Sequence, residues 1–188
     1  MPDGRWPRYY FCPPVTDPLY LFSIPLPKYV ILVFMNVRNA NVNDVKAIHA
    51  LVNAYAERDI MLFRSMADIY KNLQTFLVVE ENGQVVGCCA LEVIWSDLAE
   101  IKSLAVDEAH KGRGAGSALV STAVEYARRL GIPKVFGLTL KPEFFEKLGF
   151  NVVDKSTLPM KVWSDCARCS KQQNCDETAV IKEIENMQ

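Results

Sequence analysis

One junction constrains the fold of this chain more than any other feature. The run Glu100–Val106 reads as a strand, and a short connector follows it. Lys111-Gly-Arg-Gly-Ala-Gly-Ser117 then opens a helix whose apolar stripe runs through Ala115, Leu119, Val120, Ala123, Val124, Ala127 and Leu130, until Gly131 and Pro133 stop it. A glycine-rich turn between strand and helix leaves backbone N–H groups unpaired at the positive end of the helix dipole. Such groups can hold a pyrophosphate, and glycine lets it approach closely. The run is not a Walker loop, because Gly-x-x-x-x-Gly-Lys-Ser/Thr is absent. Nor is it a Rossmann fingerprint: the glycines are Gly112, Gly114 and Gly116, and the unit sits after a hairpin in mid-domain. A tight helix–strand packing would explain the glycines alone equally well.

The surrounding pattern gives the junction its context. From Met35 onward, Asn43 or Asn41 can cap a helix carrying Val45, Ile48, Leu51, Val52 and Tyr55 on one side. Ser65 can cap a shorter helix through Ile69 and Leu73. Phe76–Val79 and Val85–Ile94 flank Glu81-Asn82-Gly83-Gln84, and Asn-Gly between β-rich runs predicts a hairpin. Val135–Leu140 reads as a buried strand, Pro142 starts a short helix ending at Gly149, and Phe150 opens another strand. The order ααββ, then βαβαβ, predicts an α/β fold of the α+β type, a mixed sheet with helices on both faces.

Residues 1–34 differ. They hold seven of the ten prolines and eight aromatics, a spacing that prevents a helix and interrupts strand ladders. We expect an upstream extension, with Met35 as the native start and at most a short strand at residues 29–34. The other reading is an arm for a membrane surface or a partner. The expected organisation is a poorly ordered extension at 1–34, a domain at 35–163 and a cysteine-containing extension at 164–188 packed on it.

Composition narrows the function classes. Lys and Arg total 21 against 22 for Asp and Glu, a net charge of −1, which argues against a broad nucleic-acid surface. Six cysteines are too few for a disulfide scaffold, and no apolar run approaches the ~20 residues of a membrane span. We therefore expect a cytoplasmic protein with a small-molecule substrate, without nucleic-acid or membrane partners, and compatible with a homodimer.

In this context Lys111–Ser117 closely resembles the phosphate loop of the GNAT acetyltransferases, Arg/Gln-x-x-Gly-x-Gly/Ala. Lys111 stands in the first position, a mild departure, and Gly114 and Gly116 match the glycines. The likeness extends from about Val37 to Phe150 and includes Leu104-Ala105-Val106 and Phe145-Glu146-Lys147-Leu148-Gly149-Phe150. It implies the GNAT acyl-CoA N-acyltransferase fold and acetyl-CoA as co-substrate, with no metal. The pyrophosphate would rest on amides of Gly112, Arg113, Gly114, Ala115, Gly116 and Ser117, near Lys111. The pantetheine arm would pair like a strand with Leu104, Ala105 and Val106. Glu100 stands where some members carry a glutamate general base, although as a lone residue it reads as a strand-start charge paired with Lys102. Many relatives have a tyrosine that protonates the departing thiolate, within Tyr-Glu-Lys-x-Gly-Phe. Here the position is Phe145, so that acid is missing.

The chain is also similar to the short amino-acid acetyltransferases known as N-acetylglutamate synthases. The features are Arg64-Ser65 with Asp68-Ile69-Tyr70, Leu138 through Phe145, Leu158-Pro-Met-Lys-Val-Trp163, Asp165-Cys166-x-x-Cys169 and Asn174-Cys-Asp-Glu177. This implies acetyl transfer to the α-amine of glutamate, the first step of arginine biosynthesis, without the regulatory kinase-like domain of the longer synthases. A dicarboxylate substrate needs cations, and arginine offers a bidentate fork. The candidates are Arg64 foremost, then Lys141 and Lys161; a solvated surface charge is the alternative for each. His49 and His110 read as surface or packing residues. Cys166, Cys169 and Cys175 lack the second Cys or His pair of a zinc site, whose fourth ligand Asp165, Asp176 or a second subunit could supply, and read as reduced cysteines pinning a turn; Cys88 and Cys89 read as core. Competing readings are an acetyltransferase for glutamine or a polyamine, a non-catalytic acyl-CoA-binding protein, and a zinc-linked module at the C-terminus.

Overall fold

The computed structural model describes residues 35–159 and 174–184. Their core is a seven-stranded mixed sheet, built from β1 (Asn36–Asn39), β2 (Phe76–Glu81), β3 (Gln84–Trp95), β4 (Leu98–Val106), β5 (Lys134–Thr139), β6 (Asn151–Val153) and β7 (Thr178–Glu183). The strand order is β1-β2-β3-β4-β5-β7-β6. The α-helices among the described residues are α1 (Val45–Ala56), α2 (Met66–Lys71), α3 (Ala115–Arg129) and α4 (Pro142–Glu146).

Strand alternation sorts the side chains into two layers. From β2 and β3, Phe76, Val78, Cys88 and Ala90 pack against Val45, Ile48, Val52 and Ile69 of α1 and α2. Their neighbours Leu77, Val79, Cys89 and Leu91 face Leu119, Val120 and Ala123 of α3. A third cluster, Leu98, Phe136, Leu158 and Ala179, takes its strand residues from β4, β5 and β7. The predicted hairpin is present, with Asn82 and Gly83 both at positive φ, 53° and 78°, as a type I′ turn requires. Cys88 and Cys89 are fully buried, as expected; burial pushes the Cys88 thiol up to about 12 and the Cys89 thiol higher still.

The helix starts follow their local chemistry. Asn41 caps a 3-10 turn at Val42–Asp44 that runs directly into α1, and Asp44 completes the capping box. Ser65 and Asp68 form a second capping box at α2.

Two strands depart from the expected order. β1 was not anticipated, because Asn36-Val-Arg-Asn39 is polar and pairs only at the sheet edge, with β2. β7 lies within the region assigned by sequence to a C-terminal extension beyond residue 163. It is instead an interior strand, antiparallel to β5 on one side and β6 on the other. Its backbone groups need both neighbours, so the sheet does not end at 163. The expectations for residues 1–34, Lys161, Cys166 and Cys169 lie outside the described residues. No described helix is long and apolar enough to cross a membrane.

Candidate active site

β4 is the wall from which the site is built. Its register against β3 shifts so that Cys89 stands opposite both Ser103 and Leu104, and Ser103 adopts a positive φ of 53°. This is a β-bulge, which bends the strand and re-aims its side chains. On the other side β4 pairs in parallel with β5 at Ala99↔Val135 and Glu100↔Phe136. Beyond that point Lys102, Ser103, Leu104 and Val106 line a cavity of about 1180 Å³. That exceeds the roughly 300–1,000 Å³ of a typical small-ligand site, leaving room for two reactants.

The glycine run forms one end of this cavity. Gly114 is the N-cap of α3 with φ of 94°, a conformation that L side chains rarely adopt. The first intrahelical bond of α3 runs from the Ala118 N–H to the Gly114 carbonyl, and no side chain caps the helix. The amides of Ala115, Gly116 and Ser117 therefore have no acceptor within the helix, and all three residues line the cavity. Gly116 is tight for a different reason: a Cβ there would sit 3.3 Å from Cζ of Phe144.

An ionic frame sits beside the loop. Glu81, 7% exposed at the end of β2, lies 3.2 Å from Nε2 of His110 and 3.6 Å from Arg113. Nδ1 of His110 lies 2.8 Å from Asp107, whose carboxyl it holds below the usual carboxylate range. Lys111 bonds Glu108 at 2.7 Å and stands 4.8 Å from the ring centroid of Tyr55. Its pKa is raised, chiefly by Glu108.

Glu100, 9% exposed, lines the cavity. Its Oε2 is 3.8 Å from Nζ of Lys102, and that ammonium makes a much closer contact with Glu92 across the β3–β4 pair. The expected partnership with Lys102 is thus present but loose, and Glu100 still faces the cavity. Arg64, just before α2, and Lys141, just before α4, line the same space. So do Lys155, Cys175, Asp176 and Glu177.

Most of the expected site residues converge here: Arg64, Glu100, Leu104, Val106, Lys111, Gly112, Gly114, Ala115, Gly116, Ser117 and Lys141. Two do not line the cavity. The Ala105 side chain is buried under α1, and Arg113 turns its guanidinium towards Glu81. Phe145 is 5% exposed and packs edge-on between Phe144 and Phe150, at 5.2 Å from each ring. His110 belongs to the ionic frame, and His49 packs edge-on against Phe63 at 6.1 Å.

Sequence reasoning missed Tyr55, which it counted as a core residue, and Lys155. It singled out Asn174-Cys-Asp-Glu177 only as a resemblance, although three of these residues reach the cavity. Cys175 is exposed, with its Sγ 3.3 Å from Nζ of Lys155. Among the described residues no group of three or more His, Cys, Asp or Glu side chains is arranged to hold a metal.

Comparison with known proteins bears on the same region. The model of the acetyltransferase (GNAT) family matches residues 45–150. An uncharacterized N-acetyltransferase of Chlorobaculum tepidum is 40% identical over 148 residues, 79% of this chain and 96% of that protein. An amino-acid acetyltransferase of Mycobacterium tuberculosis is 41% identical over 135 residues, 70% of this chain and 77% of its own. Among solved structures, the N-acetylglutamate synthase of Neisseria gonorrhoeae complexed with coenzyme A and N-acetyl-glutamate superimposes with a TM-score of 0.74 at 26% identity. That match covers 81% of this chain and 36% of the larger synthase.

Proposed function

Because the chain belongs to the acetyltransferase (GNAT) family, we propose that it transfers the acetyl group of acetyl-CoA to the α-amine of L-glutamate. The observation that carries this reading is the meeting, in one cavity, of the α3 amides, the Glu100 carboxylate and the cations Arg64 and Lys141. A pyrophosphate suits the first, a proton acceptor is the second, and a dicarboxylic amino acid suits the third.

The residues fit acetyl-CoA on two counts. Three helix-start amides lack intrahelical acceptors at the positive end of a dipole, and the bulged edge of β4 offers backbone groups along the cavity. Ala115, Gly116 and Ser117 would bind the pyrophosphate, with Lys111 beside it. Acetyl-CoA supplies an activated thioester, so the chain's task is to present a neutral amine to it. Glu100 takes the proton that the substrate ammonium loses, directly or through one water. Lys102 Nζ stands 3.8 Å from that carboxylate. Arg64 and Lys141 meet the two substrate carboxylates and offset their repulsion with Glu100. Phe145 carries no hydroxyl, so another group or water protonates the departing thiolate. This role would place the protein at the first step of arginine biosynthesis in the cytoplasm. The bound N-acetyl-glutamate of the gonococcal synthase supports the choice of acceptor.

One observation favours a second reading. Asp59, Asp176 and Glu177 also line the cavity, and carboxylates suit a cationic acceptor such as a polyamine. The deciding experiment measures CoA release with glutamate, glutamine and spermidine, on the parent protein and on Arg64→Ala. We expect glutamate to be preferred and its KM to rise in the variant. A preference for spermidine, or a glutamate KM indifferent to the substitution, overturns the glutamate reading.

A further inference from the structure

Asn53 is a polar residue in a place that ordinarily takes a hydrophobe. It lies on the inner side of α1, next to the fully buried Val52, and is 6% exposed. Burying a carboxamide is costly unless its groups are bonded. Both polar atoms of Asn53 are engaged, and by one residue. Nδ2 donates to the carbonyl of Arg64 at 2.9 Å, and the Arg64 N–H donates to Oδ1 at 3.0 Å.

The side chain therefore pairs with the main chain of Arg64 much as a strand neighbour would. No regular element runs from residue 57 to 65, yet this stretch supplies Asp59, Ile60, Met61, Leu62 and Arg64 to the cavity. Its start is held where the Ile60 N–H reaches the Tyr55 carbonyl at 3.1 Å. Its end is held twice, by Asn53 at Arg64 and by the Ser65–Asp68 capping box at the next residue. The cap fixes α2, and Asn53 joins that cap to α1.

We propose that Asn53 is a positioning residue for the acceptor: its carboxamide sets the backbone of Arg64, and so the point from which the guanidinium meets the substrate carboxylate. This rests on the reading of Arg64 given above. A side chain of six rotatable and fixed bonds reaches a different place if its peptide shifts, and a misplacement of about 1 Å can lose about 10²-fold in a bound reaction. The Asn53 carboxamide bonds only Arg64 and none of the α3 amides, so we expect acetyl-CoA binding to change little.

The test is a set of steady-state constants for glutamate and acetyl-CoA on Asn53→Ala, Asn53→Asp, Arg64→Ala and the Asn53→Ala/Arg64→Ala pair. We expect Asn53→Ala to raise the glutamate KM about tenfold, with the acetyl-CoA KM within about twofold. It should add nothing further on the Arg64→Ala background, whereas a general loss of packing would add its effect there. Asn53→Asp gives an independent readout if the alanine variant folds poorly. Ionised, its carboxylate faces the Arg64 carbonyl without a proton to offer; protonated, it restores the donor. Its glutamate KM, taken relative to the parent at each pH, should fall towards one as pH drops from 8 to 5.5. Arg64→Ala with a raised glutamate KM and both Asn53 variants with parental values would overturn the clamp alone. Arg64→Ala with a parental glutamate KM overturns the assignment of Arg64, and the clamp's role with it.

Discussion

The phenol of Tyr55 donates a 2.6 Å hydrogen bond to the carbonyl of Val106, across 51 positions of sequence. The Val106 N–H meets the same oxygen at 3.4 Å, so one hydroxyl holds both polar groups of the last residue of β4. This ties α1 to the cavity wall where the strand gives way to the glycine run. Arg58 and Lys111 stand 4.7 and 4.8 Å from the centroid of the same ring, so the phenol also organises the cations at that end.

Tyr55→Phe keeps the ring and removes the tie. We expect a stability loss of about 1 kcal/mol and an acetyl-CoA KM raised about 3–10-fold, with a smaller effect on kcat. Urea unfolding and steady-state kinetics measure the two. Lowered stability with an unchanged acetyl-CoA KM would show that the tie holds the fold without shaping the donor site.

The two loop glycines should fail for different reasons. Gly114→Val places a branched side chain at φ of 94°, so the loop itself must change. Gly116→Val leaves the backbone acceptable but drives carbon into Phe144, whose nearest ring atom would be 3.3 Å from the Cβ alone. We expect CoA affinity to fall by about 1–3 kcal/mol in both. Truncating the obstacle should rescue only the second, so Phe144→Ala improves Gly116→Val and not Gly114→Val. Calorimetric titration with CoA distinguishes these outcomes, and parental affinity in either folded single variant removes that glycine from the donor site.

How far the sequence revealed this arrangement depends on the range of the interaction. The hairpin at Asn82-Gly83, the cap at Ser65 and the α3 stripe from Ala115 to Ala127 are signals within a few residues and reappear in place, whereas Leu130, read as the end of that stripe, is 49% exposed. β7 was illegible as an interior strand because nothing in Thr178–Glu183 says that it enters between β5 and β6, whose ranges precede it. The site divides in the same way. Glu100 and the glycine run are local to one strand–helix junction, and they stand together in the cavity. Tyr55 sits on the helical period of the α1 core, so its ring looks like packing, and only tertiary contact reveals its hydroxyl on Val106. Lys155 and Cys175 meet at 3.3 Å across 20 positions, a contact that neither residue's neighbours encode.

Glu100→Gln isolates the proposed proton acceptor. The amide preserves shape but cannot take a proton, so we expect kcat to fall about 10²–10⁴-fold while acetyl-CoA affinity stays near the parent. Single-turnover acetyl transfer across pH 6 to 9, with donor binding measured separately, checks both halves. Near-parental turnover over that range would make Glu100 a wall residue partnered by Lys102, and the proton would leave through water or backbone.

A part-buried ionic anchor lies away from the cavity and contributes to acid stability. Arg38 on β1 bonds Asp44 at 2.6 Å and Glu80 of β2 at 2.9 Å, and Asp44 is 6% exposed. The Asp44 N-cap and capping-box position joins this edge of the sheet to α1. Hydrogen bonding to Arg38 is the chief cause that holds the Asp44 carboxyl below its ordinary value, against burial, which pushes the other way. A carboxyl lowered in the folded state binds its proton more readily once unfolded. Its stabilisation is therefore complete above the unfolded pKa of about 3.9 and disappears as pH falls through the lower folded value. Asp44→Asn removes that dependence. We expect the variant to lose about 2–3 kcal/mol at pH 7, where Arg38 is left with a weaker partner. The gap to the parent should narrow as pH falls below about 4, because the parent then loses the same charge. Urea midpoints at pH 7, 4 and 3 measure it. A gap as wide at pH 3 as at pH 7 would assign the loss to the cap's hydrogen bonds and not to the ion pair.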